Sequence, residues 1–88
     1  MKILATFTCD VPDTPYRIWI DDELITERMY TIGNNNTVSN TLDVSVVDQK
    51  KYAIRFEPLT PATIQVLDVK VGKKNAFYTE GETTYAYS

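Results

Sequence analysis

Apolar side chains recur at every second position in several short runs of this chain, the pattern of strands with one dry and one wet face rather than of helices. Ile3, Ala5, Phe7 and Cys9 fall on one side of an extended segment, with Lys2, Thr6 and Thr8 on the other. Tyr16, Ile18 and Ile20 alternate with Arg17 and Trp19, Leu42, Val44 and Val46 with Asp43 and Ser45, and Tyr52, Ile54 and Phe56 with Ala53, Arg55 and Glu57. Between these runs stand turn formers: Asp10 to Pro15 with two prolines, Asp21-Asp22, Gly33 to Asn36, Pro58 to Pro61, and Gly72 to Asn75.

Residues 23–32 resume after Asp21-Asp22, so a hairpin is expected there; Ile25, Thr26 and Tyr30 favour strand over two helical turns. Residues 63–71 form a sixth strand with Ile64 and Val66 on one side and Leu67, Val69 and Val71 on the other. Either both faces of that strand are covered or a bulge near Leu67 switches its register. Residues 76–79 suit a seventh strand. The tail, about 80–88, carries Tyr85 and Tyr87 at strand spacing and pairs with a sheet edge of its own domain or of a partner. The expected fold is all-β: a small antiparallel sandwich, jelly-roll-like, of six or seven strands in a single domain spanning 1–88, with an open-ended barrel as the alternative.

With 88 residues, the chain buries only roughly 60–65% of its unfolded surface, too little to enclose a deep pocket. Cys9 is the only cysteine, so packing alone must hold the fold; it is read as a small buried apolar side chain, in keeping with a reducing compartment. Thr6, Thr8 and Asp10 interrupt the first apolar run well short of a leader segment, and no run approaches a membrane span. A net charge of −3 argues against nucleic acid as a partner. Its distribution is uneven: seven acids against three bases in residues 1–44, five against six in residues 45–88.

The chain has no histidine, which removes the usual general base, His-activated nucleophiles and imidazole-ligated zinc. Gly33, Gly72 and Gly81 are isolated and cannot form a phosphate loop. Asp21, Asp22, Glu23 and Glu27 invite a glycosidase reading, but so short a chain hardly supplies the cleft. No cofactor is expected. Calcium is the one metal the residue types suit, at Asp10 with Asp13 or at Asp21 to Glu23, though neither has EF-hand spacing and solvated turn acids explain both. The interface candidates are Trp19, Tyr30, Tyr85 and Tyr87. Strand parity turns Trp19 outward, where it stacks on a sugar, fills a protein interface, or is covered by the tail or a neighbouring loop.

The stretch YRIWIDDELITERMY, followed later by YAIRFEPLTPATIQVLDVKVGKKN, resembles small β-rich proteins of T4-like marine cyanophages. The shared order is an extended Tyr-x-Ile segment, an Asp-rich turn, the Ile25-Thr26-Glu27-Arg28 phrase and a late strand ending at Val71-Gly72, across about residues 14–75. This resemblance implies a non-enzymatic phage accessory protein, mounted on the virion as a decoration or fibre-associated subunit, with virion proteins or copies of itself as partners. A weaker similarity is to calcium-dependent xylan-binding β-sandwich modules; Asp22 and Glu23 stand where their turn glycine would be, and no ligand residue carries over. The alternatives are a lectin-like module using Trp19 with Tyr30 or Tyr16 on host-surface glycan, and an effector of the host cytoplasm that binds a host protein.

Overall fold

The computed structural model describes residues 2–31, 36–43 and 50–88. Among them are eight strands and no helix: β1 (Lys2–Cys9), β2 (Thr14–Ile20), β3 (Glu23–Tyr30), β4 (Val38–Asp43), β5 (Lys51–Pro58), β6 (Ile64–Val71), β7 (Phe77–Glu80) and β8 (Thr83–Tyr87). A three-stranded sheet ordered β4-β1-β6 packs on a five-stranded sheet ordered β3-β2-β5-β8-β7, and every pairing is antiparallel. Of the expected arrangements the chain takes the two-layer sandwich.

The alternation read from the sequence is the alternation of the core. Ile3, Ala5, Phe7 and Cys9 of β1, Tyr16, Ile18 and Ile20 of β2, and Tyr52, Ile54 and Phe56 of β5 are all buried between the layers. Phe7 meets Tyr16 edge-on at 5.3 Å between ring centroids and Phe56 at 5.1 Å, so three rings from three strands join the sheets at one end. Cys9 is fully buried, as expected, with its thiol on the Val11 carbonyl at 3.4 Å.

The sixth strand resolves in favour of the bulge. Thr6 pairs with Asp68 and Phe7 with Val66, so Leu67 is the extra residue, and it is exposed. Skipping it lets Ile64, Val66, Val69 and Val71 all face β1's inward residues. A second register shift, between Ile18 and Trp19, leaves Ile25 as the extra residue of β3.

Three expectations need correction. Strand four begins at Val38, before the Leu42 run, because Asn40 occupies a buried inward position that reads as loop in the sequence; Val44 and Val46 lie outside the described residues, as do Ile32 and Gly33 to Asn35. Tail residues 83–87 pair within their own domain, one of the two expected outcomes, but as a strand between β5 and β7 they bring the count to eight among the described residues, against the six or seven expected. Tyr30 is not available to a partner: it is 1% exposed, opposite Thr14 on the inner face, with its hydroxyl donating to the Asn36 carbonyl at 2.6 Å.

A buried polar bridge also joins the layers. Asn40 of β4 donates through Nδ2 to the Tyr16 hydroxyl at 2.6 Å, and its Oδ1 accepts from Arg28 at 3.1 Å. Burial raises the Tyr16 phenol above the ordinary tyrosine range, with Asn40 and the Arg28 charge partly opposing the rise.

Candidate functional site: the outer face of the five-stranded sheet

Directly paired residues of antiparallel strands share a face, so the register assembles the solvent side of the larger sheet. One row runs Leu24, Trp19, Arg55, Thr83, Glu80 across β3, β2, β5, β8 and β7. The next runs Ala53, Tyr85, Tyr78, with Asp21 joined to Ala53 twice: its amide donates to the Ala53 carbonyl at 2.9 Å and its carboxylate accepts from the Ala53 amide at 3.1 Å. Lys51 pairs with Tyr87 beyond it.

Cross-strand neighbours hold these side chains in place. The Arg55 guanidinium lies 5.0 Å from the centre of the Trp19 ring, and the Trp19 Nε1–H donates to Glu57 at 3.1 Å. The Lys51 ammonium stands 4.4 Å from the Tyr85 ring centre. Tyr78 stacks on Tyr85 at 5.1 Å and on Tyr87 at 6.0 Å, both with planes 25° apart. The hydrogen bond with Tyr87 is the main cause that raises the Tyr78 phenol above its ordinary value. Arg17 and Glu27 form an ion pair of 2.7 Å on the β2–β3 side, which raises the Arg17 guanidinium further.

Within this face Trp19, Asp21, Asp22, Ala53, Arg55, Thr83 and Tyr85 line a hollow of about 410 Å³. Two aromatic rings, Trp19 and Tyr85, share its lining with the charged Asp21, Asp22 and Arg55 and the small Ala53. Asp21 and Asp22 both have positive φ, 50° and 65°, as a two-residue type I′ hairpin turn requires, and this sets their carboxylates beside the hollow.

Three of the four interface residues read from the sequence, Trp19, Tyr85 and Tyr87, are partly exposed on this one face. Tyr16 and Tyr30 lie on the opposite face and cannot act with Trp19. Trp19 is flanked by Arg55 and Glu57 of β5 rather than covered by the tail, which runs one strand further on. Sequence reading missed Tyr78, Arg55 and Lys51. The signal for Tyr78 was Gly81-Glu82, whose two-residue loop puts Tyr78 opposite Tyr85; Gly81 takes φ 60° at its first position.

For metals, no group of three or more candidate ligand side chains occurs among the described residues. Of the suggested calcium ligands, Asp10 with Asp13 and Asp21 to Glu23, Asp10 and Asp21 accept the Thr63 and Ala53 amides at 2.7 and 3.1 Å and so act as local backbone caps. Compared with protein-family models, curated proteins and solved structures, the chain matches none.

Proposed function

We propose that this chain is a non-enzymatic docking subunit acting through protein–protein contacts of its outer five-stranded face, and that it serves on a phage virion as a decoration or fibre-associated subunit. The observation that carries the docking reading is the cluster of Trp19, Tyr78, Tyr85 and Tyr87, ordered by Arg55 and Lys51, at outward positions of a sheet. Tryptophan, tyrosine and arginine supply most of the energy at protein interfaces, and rings already held by neighbours lose little freedom on binding. The phage setting rests on the sequence resemblance. Mass spectrometry of purified particles tests it: the chain is expected at a defined copy number, and its absence would sink the virion role.

A second reading, glycan binding, is favoured by the hollow. Trp19 of β2 and Tyr85 of β8 stand on either side of β5, whose Arg55 and Ala53 lie between them and line the hollow with them, a slot on the scale of one sugar ring. A glycan array on which wild type binds and Trp19→Ala does not would move the assignment from protein to carbohydrate. Capture of a single host protein from host lysate, with the chain missing from particles, would move it to the host cytoplasm.

A further inference from the structure

All six lysines of the sequence gather at one end of the sandwich. Lys70 precedes the Val71–Lys74 turn, and the Gly72 amide donates to the Lys2 carbonyl at 3.4 Å. The Ser88 amide donates to the Lys50 carbonyl, Lys51 pairs with Tyr87, and the Lys74 ammonium donates to the Ser88 carbonyl at 3.2 Å. Asp43 stands opposite Lys2, and Asp21 to Glu23 form the β2–β3 corner, which β5 and β8 separate from β7.

The other end is acidic. There the β7–β8 turn carries exposed Glu80 and Glu82, and Asp10 binds Thr63 through both its amide and its carboxylate. A cleft of about 520 Å³ opens at this end between β6 and the β7–β8 turn, lined by Phe56, Ile64, Val66 and Thr84 with Glu82 at its mouth. Among the described residues, Glu82 is the one charged side chain lining it. The Lys73-Lys74 turn, beside the Tyr87 end of β8, and the Gly81-Glu82 turn, before Thr83, therefore lie at opposite ends of the β7–β8 hairpin.

From this polarity we infer that copies of the chain associate end to end, the Lys73-Lys74 turn of one copy seating at the Glu80-Glu82 mouth of the next. The inference does not depend on the docking role of the outer face. A net charge of −3 opposes sideways approach of two copies, so end-on is the orientation that the charges favour. Such a contact joins two different surfaces; it does not close on itself, and it propagates as an open row. Association of this kind is electrostatic and is strongest where screening is weakest, the Debye length being about 30 Å at 0.01 M salt and about 3 Å at 1 M.

Sedimentation velocity of the full chain tests it, with circular dichroism showing that each variant keeps its strands. Wild type is expected to form concentration-dependent oligomers at low salt that dissociate at high salt. Lys73→Glu/Lys74→Glu makes both ends acidic and Glu80→Lys/Glu82→Lys makes both basic, so each variant alone is monomeric while their equimolar mixture associates again. Wild type that stays monomeric at low salt overturns the inference. So does association that ignores salt or survives either reversal, and so does a lysine end that binds heparin while the chain remains monomeric.

Discussion

Replacing Asn40 with leucine should destabilise the sandwich much more than a polar-to-apolar change in a strand usually does, because Asn40 is the middle of a three-residue bridge between the sheets. The substitution leaves the Tyr16 hydroxyl, in a residue only 2% exposed, without its 2.6 Å partner. An unpaired buried hydroxyl costs about 1–3 kcal/mol. Arg28 is exposed and returns to water, which adds little. The expected loss is therefore about 2 kcal/mol, a fall in Tm of roughly 8–16 °C for a domain this small. Tyr16→Phe alone should cost about 1–2 kcal/mol by stranding the Asn40 amide. In the double variant neither polar group is left waiting for the other, so the combined loss should fall short of the sum by about 1–2 kcal/mol. Urea unfolding of the four proteins measures that coupling; strictly additive losses would refute the bridge.

Alkaline stability follows from the same tyrosine. Its phenol is raised in the folded state, so the unfolded chain releases that proton first; stability holds below about pH 10 and declines as pH rises beyond it. Urea midpoints across pH 7–11 should show the decline, with a shallower slope in Tyr16→Phe. Tyr52 is fully buried and its hydroxyl has no hydrogen-bond partner among the described residues, so Tyr52→Phe should be neutral or stabilising by up to about 1 kcal/mol by thermal melting; a clear loss would show that the hydroxyl is bonded. Asp22 holds φ 65°, a conformation that costs a residue with a Cβ about 1 kcal/mol, so Asp22→Gly should raise stability by about 0.5–1 kcal/mol, read from the urea midpoint.

Strand parity made the core legible before any coordinates. Burial at Ile3, Ala5, Phe7 and Cys9, and at Tyr52, Ile54 and Phe56, needs only a period of two and a single apolar face. The bulge at Leu67 was also visible, because an apolar stripe that changes sides within one strand requires either two covered faces or an added residue. Asn40 was not visible: a buried asparagine at an inward position looks like a loop residue until its partner on the other sheet is known. Tyr30 was misjudged for a related reason, since nothing local tells an inward tyrosine from an outward one when the strand itself carries a register shift at Ile25. The outer face was half legible. Trp19, Tyr85 and Tyr87 announce themselves by parity, but bringing them beside Tyr78 and Arg55 needs the order β2-β5-β8-β7, which depends on pairings distant in sequence.

Attachment to a partner through the outer sheet face, as proposed, is tested most directly on assembled particles. Particles assembled with wild type or with Trp19→Ala/Tyr85→Ala, each chain shown to be folded, can be purified and the bound copies counted by mass spectrometry. Docking through this face predicts a defined wild-type occupancy and at least a tenfold loss for the double variant, since two interface aromatics together exceed about 1.4 kcal/mol of binding. Equal occupancy for the two proteins would contradict it.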